Sequence, residues 1–284
     1  MNLLGFFLFT FALTWVAWMT SAALAGPANV GFFGVHGPVF LLGVFAPALV
    51  ALALTAHSDG RRGVAALLAR IGRWQVGTRW YVFAVAYMAV MQLAAALIHR
   101  AATSVWPRFG DTPVVLMLGA ILISTWVQAG EEIGWRGYAL PRLAKHLGLG
   151  TASVVLGAIW AVWHLPLFFL PNTGSDGQSF PLYLLYVTAI SVVMAWLYWK
   201  TEGSLLLVML MHASVNNISI LAPAATPAAA NPFAWSGSFV AWVTVGLSWV
   251  VATLLLLDMR GAQIAALATS DAHLQRRGPA LPAE

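Results

Sequence analysis

The sequence predicts an all-α, polytopic membrane protein of about eight transmembrane helices enclosing a polar cavity. Three observations carry this. Hydrophobic residues make up 61% of the 284 and charged residues only 8%, with a mean hydropathy of +0.82, far from the make-up of a water-soluble domain. The apolar residues fall into about eight stretches close to the roughly 20 residues that cross a bilayer as a helix. The basic residues gather between particular stretches rather than along the whole chain. Short connections leave no room for a separate soluble domain, so residues 1–284 are read as one integral membrane domain.

The first span runs from about Leu3 to Leu24. Ala23-Leu24-Ala25 resembles a signal-peptidase site, but no Lys or Arg precedes Arg61 and the apolar stretch is long for a leader, so an uncleaved helix is expected. A Gly/Pro-containing link leads to the second span, about Pro38 to Ala56. His57 to Arg79 follows, with Arg61, Arg62, Arg70, Arg73 and Arg79 set around Val64, Leu67, Leu68 and Ile71. That pattern reads as a basic amphipathic segment on an anionic membrane surface.

The third span is about Trp80 to Ile98. The fourth begins at Thr112-Pro113, proline suiting a first helical turn, and continues past an acidic pair, with a kink expected at Pro141, to Arg142, Lys145 and His146. Gly148-Leu149-Gly150 breaks the chain before the fifth span, about Thr151 to Leu170. Asn172 to Gln178 is a polar loop, and the sixth span, about Pro181 to Trp199, closes on Lys200. The seventh is about Ser204 to Leu221; an uncharged Ala/Pro linker leads to the eighth, about Phe239 to Leu257, and a short polar tail expected to be disordered.

With the amino end inside, eight crossings place twelve of the fourteen Lys and Arg on the cytoplasmic side, only Arg100 and Arg108 falling outside. This segregation follows the positive-inside rule and predicts a multi-pass protein of the plasma membrane with both termini cytoplasmic. The net charge of +5 is therefore a topology signal and not a nucleic-acid one. Tryptophans near predicted span ends, such as Trp15, Trp18, Trp80 and Trp199, read as interfacial anchors. The absence of cysteine excludes disulfides, thiolate catalysis and cysteine-bound metal.

Against this apolar background, Gly130-Glu131-Glu132-Ile133-Gly134-Trp135-Arg136 stands out. A charged side chain at bilayer depth costs roughly 2.5–3.5 kcal/mol on insertion scales, so such residues face cavities and mark function. Glu132 and Arg136 are i, i+4 and can pair, while Glu131 points about 100° away from Glu132. His164 on the fifth span, and His212 with Asn216 on the seventh, are the other conspicuous polar groups. Singly, each has a structural reading: a membrane histidine often bonds a neighbouring helix, and a Glu–Arg pair can lock two helices. Together they need one another or water, and one hydrated cavity satisfies them all. Trp160, one turn before His164, can pack on the imidazole, and Pro166 cannot donate to the carbonyl of Val162, which opens the helix near that histidine. Glu131 is a candidate general base for a water. His212 and Asn216, i, i+4, could hold an oxyanion, a task worth ~3–4 kcal/mol per donor in known hydrolases. Gly130 and Gly134 allow close approach of a helix or a substrate backbone. Two histidines and a glutamate could alternatively hold zinc with an open position. There is no H-E-x-x-H and the ligands would come from three helices, so a metal-free site is favoured, with zinc as the second reading.

The three patches, Glu131-Glu132-x-x-x-Arg136, Trp160-x-x-x-His164 and His212-x-x-x-Asn216, resemble the motifs of the CPBP family, the CAAX-protease and bacteriocin-processing (Abi) membrane proteins, related to the type II CAAX prenyl endopeptidases. G-E-E-I-G-W-R-G-Y-A-L-P-R-L over 130–143 and W-H-L-P-L-F-F over 163–169 are similar to the bacterial members. The resemblance spans about Thr112 to Leu221, which it implies is the catalytic core, and departs at Trp160, where the family often has Phe, a change expected to alter packing more than chemistry. It implies an eight-helix intramembrane endopeptidase with a cavity open to the cytoplasm. By the same resemblance, Glu131 activates water with His164 assisting, His212 and Asn216 form the oxyanion hole, and Glu132 with Arg136 shapes the site. Family members have been described both as metalloproteases and as glutamate peptidases. The eukaryotic-type members remove the last three residues of prenylated CAAX proteins, and bacterial members act in bacteriocin maturation or immunity. The implied partner is a membrane-associated, possibly prenylated peptide or protein, with the lipid bilayer and without nucleic acid. The rival expectation is a non-catalytic immunity scaffold or transporter of the same fold.

Overall fold

The computed structural model describes residues 3–25, 36–175, 177–221 and 231–276. The link after the first span, the Ala/Pro linker over 222–230 and the last residues of the tail lie outside them. The described chain is helical, its one β-type contact being an isolated bridge between Phe109 and Leu221. In order, the elements are α1 (Leu3–Ala25), α2 (Gly37–Leu68), α3 (Thr78–Thr103), α4 (Val114–Val127), α5 (Ala129–Glu132), a π-helical stretch (Ile133–Ala139), α6 (Leu140–Leu147), α7 (Leu149–Trp163), a 3₁₀ turn (Leu165–Phe168), α8 (Phe180–Lys200), α9 (Leu205–Asn217) and α10 (Phe239–Arg276).

Among the described residues, six helical runs are long and apolar enough to cross a bilayer: Leu3–Ala25, Gly37–Leu68, Thr78–Thr103, Val114–Leu147, Phe180–Lys200 and Phe239–Gly261. Large apolar side chains such as Leu8, Val90, Val115, Ile123 and Leu254 lie exposed on them, as lipid-facing residues do. The protein is a polytopic, all-α membrane protein.

The other two apolar helices are short. α7 has 15 residues and α9 has 13; at about 1.5 Å per residue neither matches the ~30 Å hydrocarbon core. The fifth span therefore stops at Trp163, seven residues before the expected end at Leu170. The cause lies in the sequence Leu165-Pro166: proline removes a helical donor, and the chain tightens into the 3₁₀ turn. Likewise α9 ends at Asn217 rather than Leu221. At its start, Ser204 accepts from the backbone N–H of Leu207 at 3.3 Å, an N-cap.

Further differences have local causes. α2 continues beyond Ala56 to Leu68, with a break at Gly60 (φ 64°), a left-handed conformation that glycine tolerates. The basic segment is thus helix to Leu68 and turns after it. α10 continues past Asp258 to Arg276 rather than giving way to a disordered tail; Ala, Leu, Gln and Arg over this stretch are strong helix formers. Trp18 is buried, donates to the carbonyl of Phe40 at 3.2 Å and packs on Trp163, so it is a core residue and not an interfacial anchor.

α2 is the surface on which the acidic segment is built. Pro47 inside α2 leaves the Gly43 carbonyl without its helical donor, and the Thr14 hydroxyl of α1 donates to it at 2.9 Å. Farther along α2, a methyl group at Gly134 would stand 2.5 Å from Pro47 Cβ, and one at Gly130 would stand 2.9 Å from Phe45 Cγ. The two glycines thus serve helix–helix approach against α2, as small residues do in membranes. Every residue from 130 to 140 is buried, in contrast to α4, where buried and lipid-exposed positions alternate.

Candidate active site

The fourth span changes hydrogen-bond pattern where its carboxylates lie. α5 carries Glu131 and Glu132, and the wider π turns of Ile133–Ala139 carry Arg136; π-bulges recur at functional sites. No kink at Pro141 is needed, since the irregularity precedes it. The Gly137 carbonyl, which Pro141 cannot serve, instead accepts from Arg70 Nη1 at 3.0 Å.

Glu132 is 0% exposed and fully engaged. Arg136 Nη1 donates to its Oε1 at 2.8 Å and Oε2 at 3.1 Å. His212 Nδ1 lies 2.8 Å from Oε1. The Arg136 guanidinium lies 4.3 Å from the centre of the Trp160 ring, a cation–π contact. Its Nε and Nη2 meet no hydrogen-bonding partner among the described residues, so Glu132 and the Trp160 face are what stabilise this buried charge.

Glu131 is buried too, but on another side. Trp160 Nε1 donates to Oε2 at 2.7 Å. Trp160 also sets both histidines, meeting the His212 ring at 5.1 Å and the His164 ring at 5.7 Å, edge to face. At the end of α7 the His164 amide bonds the Ala161 carbonyl, one residue short of the α-helical partner. The freed Trp160 carbonyl then lies 2.9 Å from His164 Nδ1. A carbonyl only accepts, so Nδ1 carries a proton, and in the neutral ring Nε2 holds the lone pair.

Glu131, Trp160, His164, His212 and Asn216 line one cavity of about 90 Å³ together with Tyr183 and Tyr186, room for several waters. Asn216 lies near the end of α9, exposed, its carboxamide bonded to nothing among the described residues. Neighbouring Asn217 is structural: Nδ2 donates to Ser124 Oγ at 2.7 Å and to the Ala213 carbonyl at 2.8 Å, tying α9 to α4.

The cavity thus collects Glu131, His164, His212 and Asn216 from three spans, while Glu132 and Arg136 sit behind it as a sealed pair. Sequence reasoning missed two contributors. Trp160 was expected to matter for packing more than for chemistry, yet its N–H reaches Glu131, a bond no Phe could make. Tyr183, whose ring meets His164 at 5.6 Å, had a faint signal in its i, i+3 spacing from Tyr186 on an otherwise aliphatic helix face. Among the described residues no three His, Asp or Glu side chains are grouped to hold a metal ion. Glu132, already shared by Arg136 and His212, is poorly placed as a ligand.

A family model of type II CAAX prenyl endopeptidases, Rce1-like, matches residues 112–218, the stretch that carries all these side chains. Over that core, the chain is similar to the Rce1-like proteins. The CPBP resemblance drawn from the three motifs is borne out. The chain is also 26% identical over 226 residues to "CAAX prenyl protease 2" of Methanococcus maripaludis, a match covering 74% of this chain and 81% of the relative.

Proposed function

We propose that this protein is an intramembrane endopeptidase that hydrolyses a peptide bond of a membrane-associated, prenylated CAAX-type substrate with water activated by Glu131. The observation that carries it is the single cavity shared by Glu131, His164, His212 and Asn216. Trp160 occupies Oε2 of Glu131, which leaves Oε1 to take a proton from water, with His164 Nε2 as a second acceptor that orients it. The hydroxide adds to the scissile carbonyl, and the oxyanion is received by the Asn216 carboxamide and by His212. His212 donates from Nε2 while its Nδ1–H is held by Glu132, so this role needs the doubly protonated ring. The Glu132–Arg136 pair places that ring. Collapse of the tetrahedral intermediate breaks the C–N bond, and protonated Glu131 returns its proton to the leaving amine.

The segment 112–221 is proposed as the catalytic core. The charge segregation supports a plasma-membrane protein with both termini cytoplasmic. The test is cleavage by the purified full chain in lipid discs, using prenylated and unprenylated forms of one carboxyl-terminal peptide, with and without chelator. The expected result is cleavage of the prenylated peptide at a rate the chelator leaves unchanged. A rate lost to chelator and restored by zinc would replace the glutamate mechanism with a metal one. A folded protein that cleaves neither peptide would be the non-catalytic scaffold.

A further inference from the structure

The turn joining α2 to α3, residues 69–77, is gripped from several sides. Arg70 Nη1 donates to the Gly137 carbonyl at 3.0 Å and to the Tyr198 hydroxyl at 2.7 Å. The Leu205 amide donates to the Arg70 carbonyl at 3.0 Å, and the Ser204 hydroxyl to the Arg73 carbonyl at 2.6 Å. Arg73 Nη1 donates to the carbonyl of Glu202. One basic turn is therefore fastened to the π segment of the acidic motif, to the end of α8 and to the start of α9, the helix of His212 and Asn216.

Beside this turn opens a cavity of about 760 Å³, whose walls include Arg73, Arg79, Lys200, Trp74, Trp80 and Glu202. The Arg79 guanidinium lies 4.8 Å from the centre of the Trp80 ring, and neither Arg79 nor Arg73 is ion-paired among the described residues. Lys200 pairs with Asp258 at 2.9 Å. Three cations against the carboxylates of Glu202 and Asp258 leave the cavity net positive. Its walls include the last residue of α8 and the first turn of α3, both spanning helices, so it lies at the level of a bilayer surface. Trp74 is 60% exposed at its rim, the kind of side chain that seats at the lipid–water interface.

We propose that Arg73, Arg79 and Lys200 form a site for the headgroup of an anionic phospholipid. The guanidinium groups match the phosphodiester oxygens, and the tryptophans meet the glycerol and upper acyl region. This fits a lipid better than a soluble anion, which has no use for the indoles. Bound lipid holds the turn, and through Arg70 and Ser204 it holds the two segments that carry the acidic motif and His212. The proposal does not depend on the peptidase reading, because its test reads binding.

The full chain in neutral detergent is titrated with short-chain phosphatidylglycerol, phosphatidylcholine of the same chain length, or inorganic phosphate, and its melting temperature is followed. A saturable rise is expected with phosphatidylglycerol and none with the other two. Basic residues near a membrane surface each contribute enough that the double variant R79Q/K200Q should raise the half-saturating concentration about thirtyfold. Arg79→Gln alone breaks no hydrogen bond or ion pair among the described residues; it should raise that concentration about fivefold and serves if the double variant does not fold. An equal rise with inorganic phosphate would overturn the lipid assignment, and a titration unchanged in R79Q would overturn the site.

Discussion

Glu131 and Glu132 are joined by one peptide bond and occupy opposite surroundings. Glu132 has both oxygens on Arg136 and one also on His212, with no exposed surface. Glu131 gives one oxygen to a neutral indole N–H and lines a cavity. The helical turn of about 100° between them sends one carboxylate into a closed ion-paired network and the other toward the cavity. The residue type is the same, so the neighbours decide which acid is held in an ion pair and which faces the cavity. Replacing each in turn should therefore fail in different ways.

The largest effect is expected from Glu131→Gln. General acid–base groups contribute 10²–10⁴-fold, so peptidase activity should fall about 10³-fold. The amide can still accept from Trp160, so the melting temperature should barely move. Glu132→Gln reverses the pattern: it leaves Arg136 buried without its counter-charge, which costs about 3 kcal/mol or more. The measurement is denaturation of both variants in the same detergent. If Glu132→Gln melts with the wild type while Glu131→Gln does not, the division of labour is the wrong way round. Asn216→Ala comes next. The side chain bonds nothing among the described residues, so stability should hold, while loss of an oxyanion donor lowers kcat about 10²-fold with KM unchanged.

How much of this could be read beforehand depended on the range of the interaction. The Glu132–Arg136 pair was legible because i, i+4 spacing places both groups on one helical face whatever surrounds them. The six long spans were legible because lipid demands long apolar runs. The ends of α7 and α9 were not, because hydropathy continues through Leu165 to Leu170 and Ile218 to Leu221 while the backbone has already left the helix. The π turns of Ile133–Ala139 carry no proline and no distinctive composition. Their glycines gave a hint, and its meaning, contact with Pro47, came only with α2 in place. Trp18 shows the same limit: position near a span end suggested the interface, and the pairing of α1 with α2 and Trp163 put it in the core.

Trp160 is the residue on which that limit bears most directly, since it joins the two halves of the acidic pair. Its N–H holds Glu131, its face covers Arg136, and its carbonyl fixes His164. Trp160→Phe keeps a six-membered ring and the carbonyl and removes the N–H with the rest of the five-membered ring, so the hydrogen bond is lost together with some buried ring volume. A hydrogen bond to a charged acceptor is worth about 1.5–3 kcal/mol when fully lost. Here water in the cavity can replace part of it, so kcat should fall about tenfold, less than for any variant above. KM should stay close to wild type, because a ring still packs on Arg136 and both histidines, while the lost ring volume should lower the melting temperature modestly. If Trp160→Phe cleaves as fast as the wild type, the indole is a filler, as the sequence alone suggested, and Glu131 is oriented by its backbone. If instead the variant unfolds with Glu132→Gln, the cation–π face over Arg136 outweighs the N–H, and Trp160 belongs to the sealed half of the site.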